Sequence, residues 1–299
     1  MEDDSETTLR KESSTGKLRF LSPVVRKSIN CFLGVGDDIV EIKFDVENKV
    51  FEIYVPYDQQ WFVIKDILLN REYEYLPEFA LKNFNGLVVD AGAHVGLFSF
   101  VSSLFAREIV ALEPHPVNYR LLEINTRKNE VDNVIAINKA LWNEKGKVRV
   151  YEGLNSSRHS ICYPSNKFFE VSTETLQGLI EEFGTIDLLK VDVEGSEFRI
   201  FEGIDIGILR NINSIVGEIH PDCGDASSIV RSLVNAGFSV NLFRTPLFLR
   251  KNPYSIRLHG CARLKLLVRF LHSLPLPDFG IDDLLILFAS RNRSLPCAS

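Results

Sequence analysis

From Leu87 onward the chain alternates short apolar runs with longer amphipathic ones, and that rhythm limits its folding more than any other feature. "LVVDAG", "EIVALEP", "VIAINKAL", "DLLKVDVEG", "SIVGEIHP", "FSVNLFR" and "DDLLILFAS" read as strands. "VGLFSFVSSLFA", "VNYRLLEINTRKNE", "SEFRIFEGI" and "SSIVRSLVNAG" read as the helices between them. Strands without a polar face need cover on both sides, which crossover helices provide. The expectation is an α/β, Rossmann-like fold: a seven-stranded, mostly parallel sheet with helices on both faces. Ligands of such a sheet bind at the carboxyl ends of its strands.

The preceding segment obeys different periods. Residues 1–17 are polar, charged and without periodicity, and read as a disordered tail. Residues 18–85 form an N-terminal extension, and 86–299 carry the main domain. "LSPVVRKSINCFLG" suits a short helix, and the "GVG" that follows has neither the preceding strand nor the third glycine of a dinucleotide turn. Alternation on either side of "DVENK" predicts a β-hairpin, with Ile42 and Phe44 paired against Phe51, Ile53 and Val55. Phe62, Ile64, Ile67 and Leu68 then fall at helical spacing.

Charge and cysteine usage narrow the partners. The net charge of −6 argues against a nucleic-acid surface. Five scattered cysteines, none in a C-x-x-C pair, argue against a zinc site or a disulfide framework, so no metal is assigned. The first 17 residues are too charged for a signal peptide, and no apolar run approaches the roughly 18 residues that span a bilayer. A cytoplasmic protein is expected.

The first strand ends in "VVDAGAHVG", a D-x-G-x-x-x-G pattern formed by Asp90, Gly92 and Gly96. It does not fit the G-x-G-x-x-G turn that offers a helix N-terminus to a pyrophosphate. A carboxylate in that turn repels phosphate and attracts a cation. S-adenosylmethionine supplies a sulfonium and an ammonium and no phosphate, and the glycines are expected to let the backbone sit against its methionine part. Glu113 lies 23 residues beyond Asp90 at the end of the second strand, where an acid accepts hydrogen bonds from ribose hydroxyls.

"VVDAGAHVGLFSF", "ALEPHPVNYRLLEINTRKN", "NKALWNEKGKV" and "LLKVDVEGSEFRIFEGI", in this order, resemble the FkbM-type methyltransferases over about residues 60–245. "KVDVEGSE" together with "EPHPVN" narrows the likeness to that family. The resemblance implies the class I methyltransferase fold, S-adenosylmethionine as cofactor and O-methylation of sugars or natural products. It also implies a cofactor site of Asp90, Gly92, Ala93, His94, Gly96, Glu113 and Pro114, with Ala140 and Leu141 lining the adenine and Asp192 at the fourth strand. His94 stands where the family often carries asparagine.

Attack of a hydroxyl on a methyl group calls for a base. Side chains alternate along a strand, so Lys190, Asp192 and Glu194 project to one side, as do Glu218 and His220 on the next strand. Asp192, Glu194, Glu218 and His220 are therefore the catalytic candidates, with His220 titrating nearest neutrality. Arg158 and His159, in the loop "EGLNSSRHSI", are candidates for substrate binding. Residues 250–277 are locally basic, and Leu264, Leu267, Val268 and Leu271 can share one helical face. This helical insertion suits peripheral membrane contact or an anionic, lipid- or nucleotide-linked acceptor. The rival readings are an RNA or protein methyltransferase of the same fold, an NAD-dependent Rossmann enzyme, against which the missing third glycine counts, and a non-catalytic interaction protein. Against RNA, the fourth strand ends in "DVEGSE" and lacks the N-P-P-Y type of turn.

Overall fold

A computed structural model describes residues 39–56, 64–152, 162, 164–244, 256–259 and 284–291. The expected tail (1–17), the helix before Gly34, and Leu264–Leu271 of the basic insertion lie outside these residues.

Strands β1 (Ile39–Val46) and β2 (Lys49–Pro56) form the hairpin. Ile42 pairs with Ile53 and Phe44 with Phe51, as the alternation predicts, while Val55 faces Val40. Glu47 and Asn48 both have positive φ (50° and 67°), the geometry of a two-residue turn matched to strand twist. A third strand, β12 (Ile256–His259), taken from the expected helical insertion, pairs antiparallel with β1.

Next comes a π-helical turn at Ile64–Asn70, then single 3-10 turns at Glu72–Glu74, Pro77–Phe79 and Leu81–Asn83. One regular helix was expected here. Arg71 instead takes left-handed backbone angles (φ 50°), and Pro77 opens a later turn, so the backbone folds back repeatedly. Buried Arg71 pairs with Glu74, whose other oxygen accepts the Leu81 N–H at 2.8 Å.

The main sheet contains β3 (Leu87–Ala91), β4 (Glu108–Leu112), β5 (Val134–Ile137), β9 (Ile186–Val191), β10 (Ile212–Ile219), β11 (Ser239–Arg244) and β13 (Leu285–Ser290). Their order is β11-β13-β10-β9-β3-β4-β5, and only β13 runs antiparallel to its neighbours. The expected strand "VIAINKAL" breaks after Ile137. Its last two residues form β6 (Ala140–Leu141), which pairs with β8 (Phe168–Glu174) of a side hairpin completed by β7 (Lys147–Tyr151).

Strand alternation divides the core into two layers. Val88 and Ile109 face the hairpin, the 64–84 turns, helix α1 (Leu97–Ser102) and helix α2 (Pro116–Lys128). Val89 and Val110 face the opposite layer, built on helices α3 (Leu176–Phe183), α4 (Glu197–Phe201), α5 (Ile206–Leu209) and α6 (Ala226–Asn235). The outer edge of β2 is closed by α2: Asn125 Oδ1 accepts Tyr54 N–H at 2.7 Å and Asn125 Nδ2 donates to Tyr54 O at 3.0 Å. Asn129 repeats the pairing with Glu52, at 2.7 and 2.9 Å. Two asparagines four residues apart on one helical face thus act as a short strand and protect an edge that would otherwise be open.

Candidate active site

The turn after β3 is organised around buried charge. Asp90 is fully buried; its Oδ2 accepts from Ser99 Oγ at 2.6 Å, and its Oδ1 lies 3.2 Å from Lys190 Nζ. Lys190, equally buried, also donates to Gly92 O at 2.8 Å and lies 3.4 Å from Asp192 Oδ2. Asp90 and Asp192 outweigh burial and raise the Lys190 ammonium above its usual range. Asp90 therefore faces the protein's own cation, and the turn it was expected to open to a ligand is instead fixed by it.

The glycines have internal reasons as well. Gly92 (φ 79°) packs against the carbonyl of Asp192 so closely that a Cβ would overlap it. At Gly96 (φ 96°) a Cβ would meet Phe100 at 2.9 Å. Gly92 N and Ala93 N donate to Leu112 O at 3.0 and 2.9 Å, tying the turn to β4.

Glu113 follows β4, 5 % exposed, with Pro114 beside it half-buried. Its Oε2 accepts the His94 N–H at 2.8 Å and its Oε1 the His115 N–H at 2.9 Å. Burial still pushes its carboxyl up to about 7, against those donors and the Asn118 side chain. His94 adopts φ 51°, and that left-handed turn aims its N–H at Glu113. Ala140 and Leu141 are buried in different apolar clusters, with Asn138 ahead of them donating to Glu113 O at 2.8 Å.

At the ends of β9 and β10 the four catalytic candidates fall into two groups. Asp192 and Glu218 meet at Tyr73, whose hydroxyl lies 2.9 Å from Asp192 Oδ2 and 2.9 Å from Glu218 Oε1. One phenol carries one proton, so one of these contacts requires a proton on the carboxyl side. Glu218 is the holder, since burial and the Asp192 charge raise its carboxyl well above the ordinary range. Glu194 and His220 form the second group. His220 Nδ1 lies 3.1 Å from Glu197 Oε1 and its Nε2 3.5 Å from Glu194 Oε2. These carboxylates overcome burial and push the imidazole up to about 12. The ring is thereby held as a charged donor at neutral pH, whereas the sequence suggested a group titrating near 7.

Tyr73 and its neighbours were not legible as site residues. Glu72, 5 % exposed, is raised well above its usual value by burial and by Asp66 and Glu218, so the extension adds acids to the strand-end cluster. Only "REYEY", an acid–aromatic run, hinted at this, and no spacing rule connects it to a strand more than a hundred residues away. A cavity of about 430 Å³ borders the same loops, lined by Trp142, Phe198 and Arg199 together with Gly195, Cys162 and Cys223. Arg158 and His159 lie outside the described residues. Among the described residues no group of three or more His, Cys, Asp or Glu side chains is arranged to hold a metal ion. No helix among them is long and apolar enough to cross a membrane.

Residues 90–240 match the family described as the methyltransferase FkbM domain. "Methyltransferase sdnD" of Sordaria araneosa is 27 % identical over 218 residues, covering 60 % of this chain and 82 % of the relative. "31-O-demethyl-FK506 methyltransferase FkbM" of Streptomyces tacrolimicus is 26 % identical over 247 residues, covering 71 % and 94 %. The crystal structure of precorrin-6y C5,15-methyltransferase from Geobacter metallireducens aligns over 70 % of this chain and 81 % of that one, at 14 % identity and a TM-score of 0.39. That likeness is too general to add to the strand order above.

The residues present suit S-adenosylmethionine. A carboxylate offers about four acceptor positions, and three donors reach Glu113, which leaves room for a ribose hydroxyl. The β3 turn, closed on itself by Lys190 and Asp90, offers no pyrophosphate cradle. Half of the sequence conforms to one family description, centred on these strands, and the protein belongs to the FkbM family of S-adenosylmethionine-dependent methyltransferases.

Proposed function

We propose that the protein methylates a hydroxyl of a small-molecule or glycan acceptor, with Asp192 taking the proton. The observation that carries this reading is the Asp192–Tyr73–Glu218 contact at the strand ends. S-adenosylmethionine, when bound, supplies a methyl group already activated on its sulfonium. The chain must then hold a hydroxyl in line with that methyl, at about 3 Å, and accept its proton. Asp192 is the base because it faces a cation in Lys190 and is 24 % accessible, while Glu218 is pushed toward its protonated form. Tyr73 fixes its orientation, and Glu218, protonated, avoids placing a second negative charge beside it. His220 holds Glu194 and Glu197 together and so shapes the loop that carries Asp192. The relative named for 31-O-demethyl-FK506 supports a small-molecule acceptor.

The test is transfer of labelled methyl to a panel of hydroxylated small molecules and glycans, with Asp192→Asn and Tyr73→Phe as variants. Asp192→Asn is expected to lower transfer by about 10²–10⁴-fold while calorimetry still detects cofactor binding. Full transfer by Asp192→Asn, or methylation of RNA or protein in place of the panel, refutes the assignment.

A further inference from the structure

Cys162 precedes β8, and Cys223 closes the 3-10 turn Pro221–Cys223 that follows His220, 61 positions later. Both are partly exposed thiols. They converge on one point: a Cβ on Gly195 would collide with Cys223 Sγ and would lie 3.0 Å from Cys162 Sγ. Cys162 Sγ also donates to Gly195 O at 3.0 Å. Gly195 (φ 96°) has no side chain to separate the two sulfurs.

We propose that Cys162 and Cys223 are a disulfide-forming pair, oxidised by a small-molecule disulfide of the glutathione class, whose bond braces the wall of the cavity beside the methyl-transfer loop. The two residues line that cavity, one on the segment leading to β8 and the other on the turn after β10. A bond between them spans Gly195, the residue that follows Glu194, and joins the segment before β8 to the turn after β10. The proposal stands apart from the choice of acceptor, since it rests on the placement of the sulfurs alone.

The order of events follows from the thiols. Burial and the neighbouring Cys223 push the Cys162 thiol up to about 12, so it keeps its proton and Cys223 attacks first. The Cys223 thiolate displaces one glutathione thiolate, which takes up a proton, and leaves glutathione bonded to Cys223. Cys162 then gives up its proton, attacks Cys223 Sγ and expels the second glutathione. Two protein thiols are oxidised and one small disulfide is reduced to two thiols.

The experiment treats the purified full-length protein with oxidised glutathione, alkylates the remaining thiols and maps peptides under non-reducing conditions. The expected product is a Cys162–Cys223 link in the native chain, absent from Cys162→Ser and Cys223→Ser. Cys162→Ser is expected to retain glutathione on Cys223, because its resolving thiol is gone. Closing so long a loop should raise the unfolding midpoint by on the order of 5–10 °C, reversed by reductant. Links confined to Cys31, Cys261 and Cys297, or glutathione retained on Cys223 of the native chain, overturn the proposal. So does a Cys162–Cys223 link that lowers the midpoint, since it would come from a distorted chain.

Discussion

Replacing Lys190 with methionine removes the cation that three parts of the site share. Its ammonium lies 3.2 Å from Asp90, donates to Gly92 O and lies 5.6 and 5.9 Å from the ring centroids of Tyr73 and Phe98. At 3.2 Å and an effective dielectric constant of about 20, the attraction to Asp90 alone is about 5 kcal/mol. In the native protein much of that offsets the dehydration of two buried ions. In the variant the dehydration of Asp90 remains and the attraction is lost, so the expected destabilisation is about 3–5 kcal/mol. Methionine nearly matches the volume, which keeps a cavity from contributing. Urea unfolding followed by circular dichroism at pH 7 measures the loss. The double variant Asp90→Asn/Lys190→Met, with no charge left to strand, should recover at least about 1 kcal/mol of it. A loss below about 1 kcal/mol for Lys190→Met, or a double variant no more stable than the single one, would refute the argument that Asp90 and Lys190 exist for each other.

Three further outcomes follow from the same geometry. His220, raised to about 12 in the fold, contributes stability that is fully present below its unfolded value of 6.5 and lost as pH rises toward 12. Native stability should therefore fall by up to about 1.4 kcal/mol per pH unit above pH 7, and His220→Asn should flatten that slope in urea titrations at pH 7–9. An unchanged slope would mean that the ring is not a buried imidazolium. Glu113, raised to about 7 against an ordinary 4.5, has the opposite linkage to that of a paired carboxylate: it costs stability as pH rises from 4.5 through 7. Glu113→Gln should accordingly unfold at higher temperature than the native chain at pH 8, with the difference gone near pH 4.5, and should lose cofactor binding in calorimetry. Asn125→Ala should cost about 2–3 kcal/mol by leaving buried Tyr54 N–H and C=O without partners; denaturant unfolding showing less than about half a kcal/mol would exclude the edge-sealing role.

The sheet was legible in the sequence because a strand buried on both faces must be apolar nearly throughout, and such runs appear at β3, β4, β9, β10 and β13. The hairpin register was legible for a related reason: alternation on either side of a two-residue turn leaves few pairings. Period-two spacing put Asp192 beside Lys190 and placed Glu218 and His220 at the next strand's end, whereas Glu194 (φ 52°) sits in a left-handed turn beyond β9 and meets His220 instead. The same reasoning placed Asp90 and Glu113 at the ends of their strands, yet mistook what Asp90 faces. Its partner, Lys190, is a hundred residues away, and no local pattern announces a pair formed across neighbouring parallel strands. The side hairpin β7–β8 escaped although "KVRVY" alternates, because its strands are half-exposed and no short turn in the sequence joins them to mark the pairing.

Sequence by itself thus determined the order of the seven main-sheet strands, the sheet type and the acids at the strand ends, since all of these depend on residues close together in the chain. Tertiary structure decided which acids are pushed toward protonation, that His220 lies between Glu194 and Glu197, and that Tyr73 from the extension reaches Asp192 and Glu218. Those properties depend on burial and on charges brought within about 3–4 Å by folding, where Coulomb and dehydration energies reach several kcal/mol.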